Sequence, residues 1–339
     1  MVTQLDTAPE GTRVHTVSVV IPVYRGAKTL PALVNELAEY LAGRTTPEGR
    51  RFAVVELVLA WDCGPDRSDL VIRELAAQHE WIRPVWLSRN FGQHAATVAG
   101  MTATDGDWIV TMDEDGQHDP RDIGRMLDRA FDQRATLVYA SPINKPPHSL
   151  LRNIASWTVK TVFLRLLSPG PTVPFHSFRL VGGEQGRSVA AYMGPGVYLD
   201  VALGWVIARA TTCPVHMRDE GRAASNYRTR QLLSHFWRLV LSSGTRPLRI
   251  VSGLGLLTAA LGLVLAVWLV VERITGATSV QGWTSAIVAE LVVGGVIMIS
   301  LGVIAEYVGT AASMSMGKPL YVVVGDPYGT FLDENPRDD

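Results

Sequence analysis

The chain has 339 residues, which is enough for more than one domain, and a formal net charge of −1 at pH 7. This near-neutral balance argues against nucleic acid as a partner, because proteins that bind nucleic acid through overall basicity carry a large positive charge. The two cysteines, Cys63 and Cys213, are too few for a disulfide framework and are typical of a protein that faces a reducing cytoplasm.

Short β-branched runs alternate with amphipathic stretches between residues 17 and 140. The amphipathic stretches predict four helices, at residues 29–42, 68–79, 92–103 and 120–133. Alternation of this kind predicts an α/β fold with a mainly parallel sheet and crossover helices. The β-branched runs predict five strands, at Val17–Ile21, Val54–Leu59, Val85–Leu87, Trp108–Met112 and Leu137–Tyr139.

An acidic run at residues 113–120 directly follows the fourth predicted strand and reads Asp-Glu-Asp-Gly-Gln-His-Asp-Pro. Because open α/β sheets bind ligands beyond the carboxyl ends of their strands, the run should lie at the binding edge. Asp113, Asp115 and Gln117 alternate, so an extended segment would project them together. Oxygen ligands of this type indicate Mg²⁺ or Mn²⁺, typically with a diphosphate. The alternative is a solvated loop, and it fits Asp119–Pro120, which are suited to start a helix.

Three other polar residues are candidates for the same edge of the sheet. Asp62 follows the second predicted strand and should project beside the acidic run. His94 and His118 flank polar motifs, but an oxygen-rich Mg²⁺ or Mn²⁺ site has no need of imidazole. We therefore predict ordinary hydrogen bonds, rather than metal ligation, for both histidines.

The pattern becomes irregular between residues 141 and 218, where several prolines surround a predicted helix at residues 151–167. Residues 231–241 are amphipathic at helical period. They predict either a helix lying in a membrane interface or an ordinary surface helix packed on the sheet domain. Residues 218–249 carry seven arginines against two acids, which indicates anionic lipid or phosphate as a partner.

Two apolar segments follow this basic stretch. Ile250–Val271 has 22 uncharged residues, long enough as a helix to cross the ~30 Å hydrocarbon core. Ala286–Val308 contains Glu290 and Glu306, which would lie ~24 Å apart along a helix and so approach different interfaces. The second segment could also be a buried soluble helix, but two adjacent runs favour a membrane hairpin. Arginines before the first segment and Lys318 after the second place both termini in the cytoplasm by the positive-inside rule.

Four motifs resemble those of one enzyme family. Val19–Tyr24 is similar to the family's first strand, and Ser88–Gln93 is similar to its highly specific Ser-Arg-Asn-Phe-Gly motif. Residues 113–117 resemble its Asp-x-Asp-x-Gln signature, and Phe178–Leu180 resembles its Phe-Arg-Leu segment. Together they resemble the membrane-anchored polyprenyl-phosphate glycosyltransferases of family 2, which include dolichyl-phosphate mannose synthases and bacterial undecaprenyl-phosphate sugar transferases.

The resemblance implies a GT-A type nucleotide-sugar-binding domain with two transmembrane helices at its C-terminal side. The implied parts are a cytoplasmic catalytic domain at 1–228, a juxtamembrane amphipathic helix and linker at 229–249, a transmembrane hairpin at 250–312 and a cytoplasmic tail at 313–339. The protein would be a multi-pass protein of the cytoplasmic (inner) membrane. The sequence leaves open whether it forms a homo-oligomer.

The same resemblance implies roles for individual residues. Asp113, Asp115 and Gln117 would hold Mg²⁺ or Mn²⁺. The implied catalytic residues are Asp113, Asp115 and Arg179. The implied donor-binding residues are Pro22, Tyr24, Asp62, Arg89, Asn90, Asp113 and Glu114. The implied ligands of the acceptor phosphate are Arg179, Arg222 and Arg228.

Some of these roles have alternatives. Arg222 and Arg228 could instead touch only lipid head groups, and Arg89 and Asn90 could instead order the loop beside the nucleotide. Where the family usually has paired Asp residues after the second strand, this chain retains only Asp62. The identity of the nucleotide base of the donor is therefore left undetermined. The usual Leu of the metal motif is a glycine at position 116, which loosens the loop without removing a ligand.

The implied activity is metal-dependent, inverting transfer of a sugar, expected to be a hexose, from a UDP- or GDP-sugar to polyprenyl phosphate. The lipid-linked sugar would serve cell-envelope glycosylation. A phosphate acceptor is largely ionised near pH 7, with a second pKa of ~6 by analogy with phosphoserine, so no strong general base is needed. The non-enzymatic alternative is a membrane-tethered nucleotide-sugar sensor or scaffold. The sequence leaves the sugar undetermined.

Overall fold

The computed structural model describes residues 13–144, 173–218, 246–275 and 283–327. The chain divides into two compact units, of which the first comprises Met1–Leu232 with Pro319–Asp339 and the second comprises Leu233–Lys318. Several predictions fall outside the described residues. These are the helices at 151–167 and 231–241, and the positions of Arg222 and Arg228.

The described part of the first unit is built on a nine-stranded sheet in the order β8-β6-β7-β5-β1-β3-β4-β9, with β2 paired to β3. Six of the nine strands run in the same direction, and β2, β7 and β9 oppose them. The prediction of an α/β fold with a mainly parallel sheet is therefore confirmed. The strands are β1 Val14–Val23, β2 Arg44–Thr45, β3 Arg51–Trp61, β4 Ile82–Leu87, β5 Trp108–Thr111, β6 Leu137–Pro142, β7 Arg179–Gly182, β8 Ala210–Val215 and β9 Val323–Val324.

Helices cover both faces of this sheet, because its central strands are apolar on both sides. Along β1, Val19 and Ile21 pack against α1, α2 and α4, whereas Val20 packs on the opposite face against α3, α5 and α6. This alternation follows from the two-residue period of a strand. The helices are α1 Leu30–Ala38, α2 Ser68–Gln78, α3 Gln93–Thr102, α4 Asp122–Asp132, α5 Gly183–Tyr192 and α6 Leu199–Val206.

All five predicted strands and all four predicted helices of the N-terminal part are present, with ends shifted by a few residues. Their parallel arrangement brings the carboxyl ends of β1, β3, β4 and β5 to one edge of the sheet. The loops that begin after Val23, Trp61, Leu87 and Thr111 therefore meet there. This edge is where the sequence places Asp62 and the acidic run.

The described part of the second unit consists of two helices, α7 Arg246–Ile274 and α8 Trp283–Ser315. One helical stretch in the described chain, Val292–Ser315, is long and apolar enough to cross a membrane, with a mean hydropathy of 1.9. In α7 the corresponding apolar stretch is the shorter Val251–Val264. Both predicted apolar segments are thus helical, but the prediction of two transmembrane helices is supported for one of them only.

After α8 the chain rejoins the first unit. Strand β9 pairs antiparallel with β4, with Val323 opposite Leu87 and Val324 opposite Trp86. The sequence of residues 313–339 predicts only a tail, because a two-residue strand is too short to show a periodic pattern. The sheet of the first unit is therefore completed by a segment that follows the apolar helices.

Candidate functional site

A cleft of about 180 Å³ opens at the carboxyl ends of β1 and β5. Such an edge of an open α/β sheet is where ligands bind. Two predicted catalytic residues, Asp113 and Arg179, line it together with the predicted donor-binding Pro22. Gln93 and Asp200 also line the cleft, although the sequence analysis assigned a site role to neither.

Asp113 is held rigidly at this cleft. The Gln93 side-chain amide donates to its Oδ1 at 2.6 Å, and the Ser177 hydroxyl donates to its Oδ2 at 2.7 Å. Its backbone N–H donates to Nδ1 of His118 at 2.9 Å. The two side-chain donors are uncharged, so they orient the carboxylate without neutralising its negative charge.

His118 supports Asp113 as a buried, neutral imidazole. Its ring stacks on Phe178, with centroids 4.8 Å apart and planes 13° from parallel. Burial lowers the pKa of His118 to about 4, which agrees with an unprotonated Nδ1 that accepts the Asp113 N–H. The predicted hydrogen-bonding role is therefore confirmed for His118. His94 lines the cleft and packs edge-on against Tyr198, with ring centroids 4.3 Å apart.

The acidic loop turns instead of running extended. Glu114 and Asp115 form a turn, and Gly116 has φ +77°, a left-handed conformation that favours glycine. The turn lets the Gln117 N–H donate to Oδ1 of Asp115 at 3.0 Å. The expectation of an extended segment at Asp113, Asp115 and Gln117 is therefore wrong, because the loop turns between them. Of these three, only Asp113 lines the cleft.

The described residues include no group of three or more His, Cys, Asp or Glu side chains placed to hold a metal ion. Amide oxygens, such as that of Gln117, are a further kind of metal ligand and do not belong to these four residue types. The predicted ligands Asp113 and Asp115 thus lie within one short loop but do not form a protein-only cage.

Glu114 connects the acidic loop to the loop after β1. Its carboxylate accepts the backbone N–H groups of Tyr24 at 2.7 Å and Arg25 at 2.8 Å. Gly26 allows this approach, because a Cβ at that position would lie 2.9 Å from the Glu114 carboxylate. The Glu114 carboxylate, predicted to bind the donor, therefore holds the loop after β1 by accepting two of its backbone N–H groups. The Tyr24 side chain is exposed, and the Arg25 guanidinium lies 5.5 Å from its ring centroid.

Asp62 connects the end of β3 to the Ser88–Gln93 motif. It is 3% exposed, and its two oxygens accept the N–H groups of Phe91 at 2.7 Å and Gly92 at 2.8 Å. Burial raises the pKa of Asp62, although both N–H donors act in the opposite direction. Arg89 and Asn90 are exposed beside these contacts, and the Arg89 guanidinium lies 4.4 Å from the Phe91 ring centroid.

Arg179 lines the cleft and is 3% exposed. Its Nη1 forms an ion pair with Asp200, and its Nε donates to the Thr111 hydroxyl at 3.1 Å. The Tyr139 hydroxyl donates to the same Asp200 carboxylate at 3.0 Å. Burial and the Asp200 charge raise the pKa of Tyr139, so this phenol stays protonated.

Sequence reasoning missed most of the residues that hold the predicted ones in place. Gln93 had a signal, since it ends the Ser-Arg-Asn-Phe-Gly-Gln hexapeptide. Ser177, Thr111, Tyr139 and Asp200 carry no motif, and each of the four contacts a partner more than 20 residues away in the chain. Only the folded chain brings them to the cleft.

Known proteins resemble this chain in sequence and in structure. Residues 18–185 match the family Glycosyl transferase family 2, and residues 246–311 match the family GtrB C-terminal hairpin. The bactoprenol glucosyl transferase of Shigella phage SfX is 25% identical over 308 residues, covering 91% of this chain and 98% of that protein. The undecaprenyl-phosphate 4-deoxy-4-formamido-L-arabinose transferase of Salmonella choleraesuis (strain SC-B67) is 28% identical over 333 residues, covering 94% of both chains. A crystal structure of glucosyl-3-phosphoglycerate synthase from Mycobacterium tuberculosis, in complex with Mn²⁺, UDP-glucose and phosphoglyceric acid, has a TM-score of 0.47. It is 17% identical, and the similarity covers 68% of this chain and 79% of that one.

Proposed function

Because the chain belongs to glycosyltransferase family 2, among the polyprenyl-phosphate glycosyltransferases, we propose that it transfers a hexose from a UDP- or GDP-sugar to polyprenyl phosphate. The main support for this proposal is that a hydrogen-bonded Asp113 carboxylate and the buried Arg179 guanidinium share one cleft. This cleft lies at the carboxyl edge of a GT-A-like sheet. The cleft thereby offers a place for a metal-bound diphosphate beside a cation for a second phosphate.

Mg²⁺ or Mn²⁺ fits the acidic loop by donor type, since Asp113, Asp115 and Gln117 all offer oxygen ligands. Mg²⁺ is usually held by one or two carboxylates together with substrate phosphates, rather than by an all-protein cage. This explains why the loop can serve a metal although the described residues contain no three-ligand group. When bound, the ion would offset the negative charge that develops on the departing diphosphate.

The charge of the cleft also favours a metal-bound donor. Among the described residues that line it, the carboxylates of Asp113 and Asp200 outnumber the Arg179 guanidinium. A diphosphate without a counterion would be repelled by such a cleft. We therefore expect donor binding to depend on the divalent cation.

Arg179 is placed to bind phosphate oxygens. A guanidinium has five N–H donors in a rigid fork, and Thr111 and Asp200 each engage one of its nitrogens. The remaining Nη donors can face a phosphate in the cleft. The acceptor phosphate is already ionised, so the protein needs to orient it and exclude water rather than deprotonate it. Direct attack by the acceptor phosphate on the anomeric carbon would invert its configuration.

We expect purified full-length protein to form one lipid-linked sugar when given polyprenyl phosphate, Mg²⁺ or Mn²⁺ and a panel of UDP- and GDP-sugars. Chelation of the metal should stop the reaction, because the donor diphosphate is then repelled from the cleft and its departure is not stabilised. Thin-layer separation of the lipid products identifies the donor, and NMR of the anomeric proton gives the product configuration. Failure of every donor in the panel would contradict the proposed transfer, and a retained configuration would contradict direct displacement.

Two features of the chain support the proposal that α7 and α8 form a membrane hairpin. The match to the GtrB C-terminal hairpin spans residues 246–311, and therefore all of α7 and most of α8. The chain leaves the first unit before α7, and β9 rejoins the sheet of that unit after α8. Such a return requires an even number of membrane crossings. We therefore propose two crossings in the inner membrane, with the catalytic unit and both termini in the cytoplasm.

Cysteine labelling tests this topology. In a background with Cys63→Ser and Cys213→Ala, Ser279→Cys, between the two helices, should react with a membrane-impermeant maleimide in intact spheroplasts. Lys318→Cys, at the far end of α8, should react only in inverted membrane vesicles. Labelling of both positions from the same side would show that the hairpin does not cross.

A further inference from the structure

The segment that follows α8 lies against the strand that leads into the Ser88–Gln93 motif. Val323 and Val324 pair with Leu87 and Trp86 at the end of β4. The next N–H along the chain, that of Ser88, donates to the Val322 carbonyl at 3.0 Å. The ladder therefore continues past the end of β4 into the first residue of the motif.

Side chains anchor this return segment, residues 320–326, on two neighbouring helices. Leu320 and Tyr321 pack against the core that α3 forms with the sheet. The Tyr321 hydroxyl lies 3.3 Å from the hydroxyl of Thr102 at the end of α3. Asp326 forms an ion pair with Arg73 of α2, and since both side chains are 39% exposed this pair adds little by itself. Backbone pairing and buried apolar contacts are thus the main anchors.

The motif held by the return segment contacts two carboxylates with predicted site roles, those of Asp62 and Asp113. Phe91 and Gly92 donate their backbone N–H groups to Asp62. Helix α3 begins at the following residue, Gln93, whose amide orients Asp113. A displacement of the loop between Ser88 and Gly92 would therefore disturb Asp62 and Asp113 together.

We propose that the return segment is a positioning element of the donor site, which holds the Ser88–Gly92 loop so that Asp62 and Asp113 keep their places. The catalytic site is then incomplete without the part of the chain that follows α8. This inference rests on the proposed function only where it invokes donor affinity. The loop's protection from exchange is a property of the fold alone.

The test replaces both β9 residues by proline in the full-length protein. Val323→Pro with Val324→Pro removes both N–H groups of β9, whichever of them faces β4. The matched control, Val323→Thr with Val324→Thr, keeps both N–H groups, and these side chains are exposed (52% and 40%). We expect the proline variant to raise amide hydrogen exchange at Phe91 and Gly92. We also expect it to raise the donor KM by about 5–10-fold, the equivalent of about one backbone hydrogen bond. Its kcat should stay within about twofold of the parent, because the cost of ordering the loop is paid when the donor binds and is then the same for the bound complex and the transition state. The threonine variant should match the parent in every measurement.

A second variant tests the proposal if circular dichroism shows that the proline variant does not fold. Tyr321→Ala with Asp326→Ala keeps the backbone ladder and removes two side-chain anchors, and should shift exchange and donor KM in the same direction by about threefold. Unchanged exchange at Phe91 and Gly92, with unchanged donor KM, would overturn the positioning role. Faster exchange in a protein whose parent forms no lipid-linked sugar would contradict the proposed function and leave the positioning role standing.

Discussion

Asp113→Asn should lower kcat/KM for sugar transfer by about 10²–10³-fold, the range seen when one group that stabilises developing charge is removed. The asparagine keeps the shape of the side chain, and the donors around it can adapt, since the Gln93 amide can rotate and the Ser177 hydroxyl can accept instead of donate. The change therefore removes the negative charge while the hydrogen-bonded position is retained. Steady-state kinetics with the donor identified from the panel measures the loss.

A matched control separates charge from orientation. Ser177→Ala removes one neutral hydrogen bond to the same carboxylate and should lower kcat/KM by only about 3–10-fold. Calorimetric titration of Mn²⁺ in the presence of UDP or GDP gives a readout that does not depend on turnover. Metal affinity should fall in Asp113→Asn and stay near the parent value in Ser177→Ala. Equal losses in the two variants would show that the Asp113 charge has no special role.

Arg179→Lys should lower kcat/KM for the acceptor by about 10²-fold, while the melting temperature stays near that of the parent. The lysine retains a positive charge opposite Asp200, so the buried carboxylate keeps a partner. It loses the planar fork with which the guanidinium engages Thr111 and Asp200 and with which, in the proposed function, it would also bind a phosphate. Kinetics with varied polyprenyl phosphate, alongside thermal unfolding, measures both effects.

A mutant cycle separates the structural and functional parts of this ion pair. Arg179→Met alone should destabilise the protein by about 3–5 kcal/mol, because it leaves Asp200 charged and unpaired in a buried place. Adding Asp200→Asn should recover much of that stability without restoring transfer. Tyr139→Phe removes only the hydroxyl on Asp200 and should cost about 1 kcal/mol with little effect on kcat. Recovery of transfer in the double variant would contradict a direct role for Arg179.

The central sheet could be predicted because its elements depend on local patterns. Every predicted strand between Val17 and Tyr139 is present, since apolar runs of that length are buried wherever they lie along the chain. Strands β2, β7, β8 and β9 were not predicted. Strands β2 and β9 have only two residues, too few for a periodic pattern. Strands β7, β8 and β9 are each paired with a strand distant in sequence, as Arg179 is with Thr111.

The candidate site was predictable in composition but not in arrangement. The acidic run and the Ser88–Gln93 motif are contiguous, so the sequence shows their chemistry directly. The turn at Gly116 was not visible, because alternation of polar residues predicts an extended segment as well as a turn. Likewise nothing in the sequence indicated that both oxygens of Asp62 would be engaged by the backbone of the motif.

The sequence by itself determined the class of fold, the donor atoms available for a metal and the apolar helices, because each of these depends on neighbouring residues. Tertiary structure alone decided which side chains hold the site. Asp200 meets Arg179, and the Tyr321 and Asp326 anchors meet partners 219 and 253 residues away. Contacts over such separations form only after the sheet has brought distant segments together. They do not produce a periodic pattern of residues that could be recognised in the sequence.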